Sequence, residues 1–177
     1  VTKSVSVNSK FSESNIFWNS SVLLASVIED NSSLEDISEE LVSWVSENKW
    51  TAMGEVFDIG ATTQSSLTRL KEILINKDFD KLSNLTKLYD ETSNGNGSLM
   101  RILPLLWEIQ GRPLIEQYKR IEEISALTHG HMRSTMSCFI YLKLAELILT
   151  SIDLDSVYKS LIEEVTLVWE LIDFPKS

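Results

Sequence analysis

At 177 residues, with 43% hydrophobic and 24% charged side chains, the chain is long enough for one well-buried core and ordinary for a globular protein. Its net charge of -10 and pI near 4.7 argue against a sequence-independent grip on a nucleic-acid backbone, which needs clustered Lys and Arg to release counterions. No apolar run approaches the roughly 20 residues that span a bilayer, and VTKSVSVNSK has no signal-peptide core, so no membrane association and a cytoplasmic location are expected.

Taken in order, the chain reads as helix after helix, and the fold class expected is all-α. In NSSLEDISEELVSWVSENKW, Leu34, Ile37, Leu41, Trp44 and Val45 recur at helical spacing, and Ser32 with Glu35 makes a capping box. A second helix is predicted from Thr63 to Ile75, with Leu67, Leu70, Ile73 and Leu74 on one side. A shorter one is predicted from Asp78 to Tyr89, with Phe79, Leu82, Leu85 and Leu88 facing inward. LMRILPLLWEIQ follows a polar loop and is interrupted by Pro104, which sits in a first turn or makes a kink. After the break at GRP, helices are predicted over Leu114 to Ala126, Ser134 to Thr150 and Asp155 to Ile172. The apolar pattern of the second of these (Met136, Phe139, Ile140, Leu142, Leu144, Leu147, Ile148) goes most of the way round and predicts a central helix.

There is no repeat of fixed period and no segment long enough for an interdomain linker, so one helical domain over residues 1–177 is expected, residues 1–12 being a frayed or truncated start. The single cysteine, Cys138, lies in the apolar run CFIYLKL and is expected to be a buried structural thiol. Trp44 and Trp169 fall on core stripes, whereas Trp18, Trp50 and Trp107, if exposed, would favour an interaction surface.

Two motifs carry candidate chemistry. The loop SNGNGSLMR, residues 93–101, places Gly95 and Gly97 ahead of a helix, with the Ser98 hydroxyl and the Arg101 guanidinium as further donors. Such a loop presents backbone N–H groups to a phosphate; equally, Asn94 to Ser98 forms a turn and an N-cap. The second motif, ISALTHGHMRS at 124–134, holds the only two histidines, His129 and His131. At i, i+2 they do not share a helix face, so a metal pair is not expected from them; the open readings are a loop-and-cap role or an imidazole over a ligand.

Together with GEVFDIGATTQSSL at 54–67, the blocks SNGNGSLMRILPL and ISALTHGH stand in the order found in ADP-ribosylglycohydrolases, and residues 14–150 resemble that family, the one containing the dinitrogenase reductase-activating glycohydrolases. The resemblance implies an all-α orthogonal bundle. It implies that Asn96, Gly97, Ser98 and Met100 line an ADP-ribose site, with His129 and His131 near the cleft, and that the partner is ADP-ribose or an ADP-ribosylated protein.

It also implies two Mg²⁺ or Mn²⁺ ions held by an early Asp pair after a Trp and by a late Asp-x-Asp, since hard divalent cations take oxygen ligands. Here the early position reads Asn15-Ile16-Phe17-Trp18, or Asn19-Ser20-Ser21 in the shifted register, and supplies no Asp. Asp153-Leu154-Asp155 has the later spacing but comes too soon after the histidine block, and Asp155 reads as a helix N-cap. Glu13, Glu29 and Asp30 read as solvated. The expectation is a pseudoenzyme scaffold that binds ADP-ribose, with no catalytic residue and no metal ligand assigned. The alternatives are an active hydrolase completed by segments or chains outside this sequence, and a helical protein-interaction scaffold.

Overall fold

The structure, a computed structural model, describes residues 24–25, 33–51, 54–56, 59–88, 94–151 and 153–172. Helix α1 (Leu34–Ser46) starts where Ser33 Oγ accepts from the Asp36 backbone N–H at 3.1 Å and Asp36 accepts from the Ser33 N–H at 3.3 Å. This capping box lies one residue later than the predicted Ser32–Glu35 pair, because a shorter Asp at the third helical position serves as well as Glu. From that start the spacing brings Ile37, Leu41 and Trp44 onto one buried face.

Helix α2 (Ala61–Asn76) lies against α1 and buries Leu67, Leu70 and Ile73. It ends at Lys77, which takes a left-handed conformation (φ 57°) while the Asp78 N–H reaches back to Ile73 O at 3.0 Å. That is a Schellman-type stop made without glycine. Next, residues Phe79–Leu88 form a 3₁₀ helix rather than an α-helix. Phe79, Leu82 and Leu85 stand three apart, which keeps them on one line at three residues per turn but would spread them around an α-helix. Leu82 and Leu85 are buried and Phe79 packs at the margin of the core; Tyr89 lies outside the described residues.

The proline-interrupted segment resolves into two single-turn pieces, α3 (Gly97–Arg101) and α4 (Leu105–Ile109), with Pro104 as the residue preceding α4. Pro104 has no N–H to lose there, so it separates the two pieces without an orphaned donor. Helix α5 (Leu114–Ala126) has the predicted bounds, and α6 (Met132–Thr150) and α7 (Leu154–Leu171) complete the order. The class is all-α, with no strand among the described residues.

Helices α5, α6 and α7 pack side by side, α3 lies on α6, and the 3₁₀ helix leans on α5. At the centre Phe139 of α6 meets Tyr118 of α5 edge to face, centroids 5.8 Å apart, among Ile102, Leu105, Ile121 and Ile124. Two buried charge clusters tie the helices. Glu108 of α4 accepts from Arg120 Nε at 2.7 Å and Arg112 Nη2 at 3.3 Å. Lys143 of α6 is held by Glu146, by Glu164 of α7 at 2.9 Å and by Gln117 Oε1 at 3.3 Å. Burial alone would lower the Lys143 pKa, but the two carboxylates outweigh it and hold it above the ordinary lysine value.

Two expectations of burial are corrected. Helix α6 is central only in its first half; Ile148 and Leu149 near its end are 51% and 72% exposed. Trp169, placed on a core stripe by its spacing, is 47% exposed. The reason is the width of the α7 stripe: Val157 and Val168 dock, Glu164 engages Lys143, and the adjoining line of Tyr158, Ile162 and Trp169 stays exposed. Trp50 and Trp107 are also exposed, while Trp18 lies outside the described residues. No described helix is long and apolar enough to cross a membrane.

Candidate functional site

The three sequence blocks converge on one cleft of about 340 Å³. The first supplies Ile59 and Gly60 and the opening turn of α2, Ala61 to Thr63; the second supplies Gly95 to Gly97, Met100 and Arg101; the third supplies Thr128 and His129. Leu41 and Trp44 of α1 close the remaining side. Two hydroxyls pin distant segments together, 62 and 39 residues apart, and a third ties the histidine loop to the helix before it. Ser66 Oγ donates to Thr128 O at 2.8 Å, Ser134 Oγ to Gly95 O at 3.2 Å, and Ser125 Oγ to His129 O at 3.0 Å.

The glycine loop owes its composition to the histidine. A Cβ on Gly97 would lie 2.5 Å from His129 Cε1 and 3.1 Å from Thr63 Oγ1, and one on Gly95 would lie 3.1 Å from His129 Nε2. The positive-φ glycines of the described chain are Gly54 and Gly111, so the freedom used at 95 and 97 is one of space and not of backbone sign. The imidazole occupies the notch that two missing side chains leave.

His129 is 2% exposed, with Nδ1 2.9 Å from Thr128 Oγ1. Burial first, and the nearby Arg101 charge second, push its pKa down from 6.5 to about 4, so it is neutral at physiological pH. Arg101 is itself buried and donates from Nη1 to Gly97 O and from Nη2 to Ile124 O, both at 3.2 Å. It thereby carries a fixed positive charge beside the loop.

Of the residues singled out by sequence, Asn96, Gly97, Met100 and His129 line this cleft. Ser98 is fully buried behind it, its hydroxyl accepting from Cys138 Sγ at 3.5 Å. Burial pushes the Cys138 thiol pKa up, as suits a structural cysteine. His131 is the N-cap of α6, where Nδ1 accepts from the Arg133 N–H at 3.1 Å. Asp153, not Asp155, caps α7; its carboxylate accepts from the Ser156 N–H at 3.0 Å and from the Asp155 N–H at 3.4 Å. Asp155 follows in the first turn.

Sequence reading passed over Trp44, Thr62, Thr63 and Thr128 as cleft residues. The adjacent threonines opening α2 were the available signal, since they lie inside the first block. Trp44 gave none, because its helical spacing matches that of the core residues around it.

The donor set can be set against the metal chemistry that the resemblance implies. Hydroxyls, an amide, an imidazole and a guanidinium line the cleft, with no carboxylate among its described residues. No group of three His, Cys, Asp or Glu among the described residues is placed to hold an ion. A pair of divalent cations needs anionic oxygen to offset its charge, so these residues do not fit it. They do fit an oxygen-rich anion.

An all-α bundle with a glycine loop, a threonine-led helix and a buried histidine around one cleft defines a class, and the comparison with known families places it. The sequence profile of the ADP-ribosylglycohydrolases matches residues 19–172, and the chain belongs to that family. No curated protein and no solved structure matches it.

Proposed function

We propose that this ADP-ribosylglycohydrolase-family chain binds ADP-ribose, free or attached to a protein, in the cleft between α1, α2, α3 and the histidine loop, and that it does so without hydrolysing it. The observation carrying this reading is the convergence of three family blocks on a cleft whose described lining offers hydrogen-bond donors and one buried guanidinium but no carboxylate. Diphosphate and ribose oxygens are acceptors, and a wall whose described residues offer donors and no carboxylate is complementary to them. His129, neutral and buried, would shape the wall without adding charge. The single buried thiol agrees with a cytoplasmic setting for one helical domain.

Calorimetric titration with ADP-ribose, run with and without excess Mg²⁺, tests this. Binding of equal strength in both buffers, and no ADP-ribose released from ADP-ribosylated protein, is the expected result. Absence of binding in both buffers would sink the reading.

One observation favours a second reading, a hydrolase completed by segments or chains outside this sequence. The outer faces of α6 and α7 leave Ile148, Tyr158, Ile162 and Trp169 exposed, a surface that another element is suited to cover. Under that reading Mg²⁺ strengthens ADP-ribose binding only when those segments or chains are present, so the same titration on the completed protein separates the two.

A further inference from the structure

Trp44 stands in the cleft wall and is 4% exposed, yet its indole nitrogen is buried without a hydrogen-bond partner among the described residues. A buried tryptophan N–H ordinarily finds an acceptor, because water is lost to it and nothing else offsets that loss. The exposed Trp50 shows the usual outcome in this same protein: its Nε1 donates to Glu40 Oε2 at 3.2 Å. Trp44 has no such neighbour, although α1 carries the ring to a wall shared with Thr62, Asn96 and Arg101.

We propose that Trp44 is a ligand-binding residue of the cleft, its indole N–H donating to an oxygen of bound ADP-ribose. The inference rests on the ADP-ribose reading given above and adds a residue to it. An indole N–H is a donor only and carries no charge, so it meets an anionic or neutral oxygen and rejects a metal ion or an ammonium group. It therefore suits the same oxygen-rich ligand that the rest of the lining suits. Because the nitrogen is sealed in the free protein, the ligand reaches it through a small displacement of the wall. The exposed rim at Gly60 and Asn96 gives room for that, since even an added Cβ on Gly60 would meet nothing within 4 Å. A donor kept unpaired until the ligand arrives also raises selectivity, because a ligand without an oxygen at that point leaves it unpaired still.

The test is Trp44→Phe, which keeps an aromatic ring but removes the donor together with part of the indole, so the N–H resonance of the wild type is read beside it. Titrated with ADP-ribose, this variant should bind about ten-fold more weakly than the wild type, the loss of one hydrogen bond. In proton NMR of the wild type, the indole N–H resonance that Trp44→Phe removes should move downfield and exchange more slowly when ADP-ribose is added. Unchanged affinity in Trp44→Phe, or a resonance indifferent to ADP-ribose that the wild type does bind, overturns the role of Trp44 and leaves the ADP-ribose reading standing. A wild type that does not bind ADP-ribose overturns both. Should Trp44→Phe fail to fold, the wild-type resonance, assigned by labelling Trp44, decides alone.

Discussion

Gly97 shows how a residue type legible in the sequence acquired a different reason in the structure. The glycine-rich loop suggested backbone freedom and ligand approach, but the nearest demand on Gly97 is the His129 ring, 2.5 Å from where a Cβ would sit. Gly97→Ala should therefore cost stability, about 2 kcal/mol, with a fall of about 5 °C in Tm. In a His129→Ala background the same substitution should cost much less, since the ring is what it strikes. Equal costs in the two backgrounds, measured by thermal denaturation, would show that the notch is not what requires glycine.

The same histidine sets a pH dependence. Its pKa is about 4 in the folded protein against 6.5 ordinarily, so between those values the unfolded chain holds more protons than the folded one. Stability must then rise with pH across that window and be lost as pH falls from 6.5 towards 4. From pH 6.5 to 5, above most carboxylate titration, the loss should be about 1.5 kcal/mol. Denaturant unfolding across that range checks the slope, which His129→Gln should flatten.

At the scale of elements, spacing and end signals carried most of the information. Helix α5 has its predicted bounds because Pro113 precedes it and the apolar stripe of Tyr118, Ile121 and Ile124 runs unbroken to its end. The helix expected after α2 is a 3₁₀ helix, and the three-residue spacing of Phe79, Leu82 and Leu85 is the repeat of that helix. The stop of α2 invites a prediction. Lys77 holds a left-handed φ of 57°, a conformation that disfavours a Cβ. Lys77→Gly should relieve that strain by more than it adds to the freedom of the unfolded chain, giving about 0.5 kcal/mol and ~2 °C in Tm. A lower Tm would mean that the lysine side chain contributes more than its backbone costs.

For the whole molecule, what could be read from the chain was which segments are helical and which blocks belong together. Both are local properties: periodicity and caps act within a few residues, and the three blocks are contiguous strings. What could not be read was which faces would be covered. Trp44 and Trp169 lie on similar stripes, but the first is buried on α1, which α2 lies against, while α7 docks through Val157 and Val168 and leaves the second exposed. Likewise Asp153 and Asp155 have the spacing of a metal motif, and only the start of α7 turned the first into a cap. Arg101 reads in the sequence as a charged donor beside the loop, and only the fold, with Ile124 O of α5, buries it. The sequence by itself determined the helices and the family blocks, because their physics is short-ranged. The cleft, its neutral histidine and its unpaired indole were decided only by tertiary packing, because burial depends on neighbours that are distant along the chain.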